Sequence, residues 1–95
     1  MSKQVTFEYE LFVAGQGVPI FSTFQRKQPQ TITLGLGQHI PGIEKALVGM
    51  KPGGRRWVRI PWFFGYGWQG GAGGLVPPRA DLEAMIELKS FESKN

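Results

Sequence analysis

The chain has 95 residues, a net charge of +4, 41% hydrophobic and 19% charged side chains. Its 14 glycines and 7 prolines leave no room for long helices, so a bundle or coiled coil is excluded, and their lack of period excludes collagen. Cysteine is absent, which excludes a disulfide framework, a thiolate zinc site and a catalytic thiol. One domain over residues 1–95 is expected at this length. The 13% aromatic content argues against disorder. The positive charge permits acidic partners without requiring them.

Val5, Phe7, Tyr9 and Leu11 alternate with Thr6, Glu8 and Glu10, which predicts a half-buried strand from Val5. Gly15, Gly17 and Pro19 break it. The apolar run Ile20 to Phe24 predicts a second strand, Arg26 to Gln30 a polar loop, and Thr31 to Leu34 a third strand ended by Gly35 and Gly37. One helix is predicted from near Pro41, because proline has no N–H to leave unsatisfied in a first turn. Ile43, Ala46, Leu47 and Met50 form its single apolar stripe, and Gly49 with Lys51-Pro52-Gly53-Gly54 stops it after little more than two turns. Arg55 to Ile60 alternates again, with Arg55, Trp57 and Arg59 on one face. A Gly- and aromatic-rich stretch runs from Pro61 to Pro78, and Leu82 to Phe91 is the clearest strand. The reading is an α+β fold, an antiparallel sheet wrapped on one short central helix.

Localising signals are sparse. No apolar run approaches the ~20 residues of a membrane helix, so no membrane partner is expected. Met1-Ser2-Lys3-Gln4 precedes no apolar h-region, so no signal peptide is expected. The default localisation is cytoplasmic, with nuclear the other option.

Chemistry-bearing motifs are few. Gly65-Tyr66-Gly67-Trp68-Gln69-Gly70 matches G-x-G-x-x-G, but a dinucleotide site needs a helix N-terminus next, and Gly71 to Gly74 followed by Pro77-Pro78 cannot start one. Arg55, Trp57 and Arg59 share a face, as in a single-stranded nucleic-acid platform. The plainer reading is the outer face of a sheet, with long cationic stems covering an aromatic ring, so nucleic acid is not the expected partner. His39 is the single histidine, lacks a second ligand or base partner nearby, and reads as a surface or loop residue rather than part of a metal site or triad. No pair of carboxylates stands out as a general acid and base. The loops instead concentrate Phe21, Phe24, Trp62, Phe63, Tyr66 and Trp68, which suggests an apolar ligand pocket at one end of the sheet.

Leu34-Gly35-Leu36-Gly37-Gln38-His39-Ile40-Pro41-Gly42-Ile43-Glu44, then Leu47-Val48-Gly49-Met50-Lys51-Pro52-Gly53, resembles the centre of an FKBP-type peptidyl-prolyl isomerase (immunophilin) domain. So do Arg56-Trp57-Val58-Arg59-Ile60-Pro61, Tyr66-Gly67 with its trailing glycines, Leu75-Val76-Pro77-Pro78 and the Leu82 to Leu88 alternation. The resemblance spans about residues 5–89 and rests on the order and spacing of these blocks. It implies a sheet wrapped around one helix. The family domain opens with a further strand, for which only four residues precede Val5, so an unpaired sheet edge is expected nearby.

The resemblance also implies function. Family members hold a proline ring in an apolar pocket and speed rotation about the X-Pro bond, without nucleophile, metal or cofactor. By this likeness Phe21 is a pocket aromatic, Tyr66 hydrogen-bonds a ligand carbonyl, the Ile40 N–H and the Gln38 carbonyl meet the ligand backbone, and Leu75 and Val76 form a wall. Phe7 is read at a tyrosine position, Ile43 at the tryptophan flooring the pocket, Ser22 at an aspartate, Gln30 at an aromatic wall residue and Ala84 at a phenylalanine. The lost rings imply a wider, less well-shaped pocket. The expectation is therefore a weak prolyl isomerase for proline-containing segments, with weakened affinity for the macrolides tacrolimus and rapamycin. A catalytically inactive interaction or chaperone module is the alternative.

Overall fold

The alternation at Val5, Phe7, Tyr9 and Leu11 builds the central strand. The structure, a computed structural model, describes residues 2–94. Strand β1 (Ser2–Val13) pairs antiparallel with the last strand along its whole length, from Ser2↔Lys94 to Val13↔Leu82. On its other side lie the short β2 (Phe21–Ser22), against Leu11 and Glu10, and β3 (Gln30–Thr33), against Gln4 to Phe7. β4 (Arg55–Ile60) adds to the far side of β5 (Leu82–Lys94). The β1–β5 register shifts between Thr6 and Phe7, leaving Lys89 without an opposite residue; its ammonium reaches Glu8 at 3.5 Å and Glu87 at 3.3 Å.

Two α-helices interrupt the strands, and two 3-10 turns, Trp62–Phe64 and Ala72–Gly74, lie in the glycine-rich loop. α1 (Thr23–Arg26) is a single turn, and α2 (Pro41–Leu47) crosses one face of the sheet. The stripe Ile43, Ala46, Leu47 and Met50 is buried there against Val5, Phe7, Ile60, Leu82, Ile86 and Leu88. Gly42 makes the approach to β4 feasible: a Cβ there would stand 2.4 Å from Ile60 Cγ2. The α+β architecture agrees with the sequence reading, and α2 covers the predicted stripe as far as Leu47, with Met50 buried just beyond its end.

Three details differ. Residues Ile20 to Phe24 hold only a two-residue strand, because the Ser22 Oγ accepts from the Gln25 amide at 3.2 Å and starts α1. That turn occupies part of the expected polar loop and ends at Lys27 in a left-handed conformation. β1 begins at Ser2 rather than Val5, so the residues preceding Val5 lengthen the central strand. β1 has partners on both sides; the edge strands among the described residues are β4, on the far side of β5, and the short β2 and β3 on the far side of β1.

The outer face of β4 is closely paired with β5. Arg55 meets Glu87 at 3.3 Å, Arg59 meets Asp81 at 3.3 Å and Glu83 at 3.8 Å, and Trp57 stacks near Phe12 with centroids 5.8 Å apart. The cations that a nucleic-acid platform would offer are thus engaged by neighbouring carboxylates. Among the described residues, no helix is long and apolar enough to cross a membrane, and no cluster of three metal-ligating side chains occurs.

Candidate functional site

A cavity of about 350 Å³ opens beside the second half of β1. Tyr9 and Leu11 supply its floor from β1, Phe21 and Arg26 come from β2 and α1, and Gln30 comes from the start of β3. Tyr66, Ala72 and Leu75 close it from the glycine-rich loop. The loop lies close because it is small: Gly71 bridges to Val76 through two backbone hydrogen bonds of 3.0 and 3.1 Å. A Cβ on Gly71 would stand 2.7 Å from the Tyr66 ring. Side chains at that position would push Tyr66 from the cavity wall.

Aromatic rings set the shape. Tyr9 lies 5.2 Å from Phe21 and 5.5 Å from Phe7, centroid to centroid. His39 meets Tyr9 edge-on at 5.0 Å. The Ile40 amide donates to His39 Nδ1 at 2.9 Å, which makes that nitrogen the acceptor and leaves the proton on Nε2. Nε2 then donates to the Tyr9 oxygen at 3.0 Å. With its oxygen accepting, the Tyr9 hydroxyl hydrogen remains available to the cavity. Burial pushes the His39 pKa below its ordinary value, with Glu44 opposing, so the ring is neutral at pH 7. Burial raises both Tyr9 and Tyr66, and both phenols stay protonated donors.

The structure brings together Phe21, Gln30, Tyr66 and Leu75 among the residues singled out by sequence. Phe7, Ile43 and Ala84 do not line this cavity: each lies in the core, with 0% exposure. The tyrosine at the cavity is Tyr9, two residues beyond Phe7 on the same face of β1. Ile43 and Ala84 are sealed because α2 lies directly on β4 and β5. Ser22 alternates away from Phe21, and its hydroxyl donates to Glu10 at 2.9 Å while capping α1. Gln38 is exposed, with its side-chain oxygen accepting from the Thr33 amide at 2.7 Å. Ile40 is half-buried, and its N–H is occupied by His39. Val76 is buried behind the loop rather than in the lining.

Sequence reading did not single out Tyr9, Leu11, Ile20, Arg26 or Ala72 as lining residues. The signal for Tyr9 was its inward position, but only the pairing Leu11↔Phe21 shows which part of β1 faces a cavity. His39 lies in a loop as read, yet it is tied to the site through Tyr9.

The chain is thus an α+β domain with an aromatic-lined cavity beside an antiparallel sheet that one short helix crosses. The model of the FKBP-type peptidyl-prolyl cis-trans isomerase family matches residues 1–89, and the chain belongs to that family. It is 44% identical over 86 residues to an FK506-binding protein of Neisseria meningitidis serogroup A, covering 90% of this chain and 77% of that one. It is 38% identical over 84 residues to FK506-binding protein 2 of Candida glabrata, covering 88% of this chain and 61% of that one. Among solved structures, the N-terminal domain of FKBP42 from Arabidopsis thaliana superposes with a TM-score of 0.88 at 26% identity, over 96% of this chain and 73% of that chain.

Proposed function

We propose that this chain is a weak peptidyl-prolyl isomerase that seats a proline ring among Tyr9, Phe21 and Tyr66. The observation that carries the reading is the cavity itself: aromatic walls with two protonated phenols, Tyr9 and Tyr66, among its lining. Rotation about an X-Pro bond faces a barrier of roughly 18–20 kcal/mol. The twisted amide loses resonance and its charge separation, so a dry apolar pocket favours it over the planar ground state. Each phenol supplies a hydrogen-bond donor for a peptide carbonyl. No nucleophile is needed.

The weakness follows from the cavity floor. Ile43 and Ala84 are sealed in the core, and the floor consists of Tyr9 and Leu11 rather than a large indole ring. The macrolides tacrolimus and rapamycin bind with reduced affinity for the same reason. A second reading, peptide binding without catalysis, draws on Ile40: its N–H, the ligand donor that the resemblance implies, is taken by His39.

Exchange spectroscopy on an Ala-Leu-Pro-Phe peptide separates the two. The isomerase reading requires faster cis/trans exchange at micromolar protein. Peptide binding without acceleration by folded protein establishes the second reading and ends the first.

A further inference from the structure

Arg26 is the one formally charged side chain lining the cavity among the described residues. Its guanidinium carbon lies 4.4 Å from the centroid of the Phe21 ring. That stacking holds the group at the mouth and leaves its charge uncompensated. The arginines of β4 are different. Arg55 and Arg59 are paired with carboxylates, and Arg56 donates to the Ala46 carbonyl at 2.8 Å. Arg26 has no ion pair among the described residues.

Among the described residues, the lining offers no carboxylate to the cavity. Glu10 is nearby in the sheet, but it lies on the other face of β1 and binds the Ser22 hydroxyl. The remaining lining is phenol, amide and hydrocarbon. A peptide entering here therefore meets a planar, unpaired cation beside the ring wall that would hold its proline. Guanidinium binds carboxylate through two parallel N–H donors, a geometry that a neutral amide side chain cannot match. Consecutive Cα atoms are ~3.8 Å apart, so residues flanking the proline lie within reach of an arginine side chain.

We infer that Arg26 is a specificity-determining residue that selects peptides carrying a carboxylate side chain next to the proline. The inference rests on the cavity being the proline-peptide site. Its exposed position limits the gain, because solvent and salt screen the pair.

The test uses acetylated, amidated tetrapeptides with Glu, Gln or Lys placed immediately before or after the proline. At low salt the wild-type chain should turn over the Glu peptide roughly three- to tenfold better than the Gln peptide at one of the two positions, with Lys poorest. The Glu-to-Gln ratio should shrink in 1 M salt, where the Debye length is about 3 Å. In Arg26→Gln it should fall to about one. A ratio of one in the wild type at both positions overturns the inference, and so does a ratio that survives Arg26→Gln or high salt. If no peptide is turned over, the isomerase reading fails by itself, and NMR titration of the same peptides decides the selectivity. Tighter binding of a Glu peptide supports it; equal binding, or none, overturns it.

Discussion

One face of β1 feeds two unlike regions. Val5 and Phe7 lie under α2, where Ile43, Leu47, Ile86 and Leu88 leave no more than 2% exposure. Tyr9 and Leu11, a few residues on, face a cavity whose other walls are loop and one-turn helix. The core is closed by hydrocarbon and has no hydrogen-bonding capacity to spare. The cavity keeps a phenol at Tyr66 with no side-chain hydrogen bond among the described residues, a phenol hydrogen at Tyr9 and a guanidinium at Arg26. The difference shows how a small domain divides labour: packing holds the sheet, and the wall left to loops carries recognition.

Truncating the core is the strongest way to test that division. Ile43→Ala should cost about 2–5 kcal/mol, from lost transfer energy plus the cavity left behind. A urea titration checks it, and a loss under 1 kcal/mol would show that Ile43 is less tightly packed than its enclosure indicates. The reciprocal change is Tyr66→Phe. It should lower kcat/KM for a proline peptide roughly three- to tenfold, the worth of one hydrogen bond at about 0.5–1.5 kcal/mol. The urea midpoint should stay fixed; a fall in stability with unchanged turnover would place Tyr66 with the core.

The smallest effect lies where the regions meet, at His39. Its folded pKa is depressed, so the unfolded chain takes up the proton first as pH falls. Stability should therefore decline from about pH 6.5 downward and stay level with respect to this group above that. Protonation would also set Nδ1–H against the Ile40 N–H, two donors face to face. Because His39 is the single histidine, His39→Gln should flatten the slope between about pH 7 and pH 5.5. An unchanged slope would separate His39 from the stability of the site.

Much of this was legible along the chain. Alternation in β1, β4 and β5 and the Ile43–Met50 stripe read directly, because strand and helix periods are local properties of the backbone. Phe21, Gln30, Tyr66 and Leu75 were legible from the family likeness. The one-turn helix α1 was not: an apolar run continues as strand unless a side chain caps the next amides, and Ser22 does so. Tyr9 and Arg26 were hidden for another reason. Side-chain period says which face a residue takes, but not what lies opposite it.

The sequence by itself determined the fold class, the family and the absence of thiol and disulfide chemistry. Composition, period and motif order are written in the chain. The tertiary structure decided that Ile43 and Ala84 are core, that Tyr9 rather than Phe7 meets the cavity, and that Arg26 stands there with no ion pair among the described residues. Those outcomes depend on strand register, on the closeness of α2 to β4, and on which carboxylates the sheet turns away. Such properties arise between residues distant in sequence and exist only once the chain has folded.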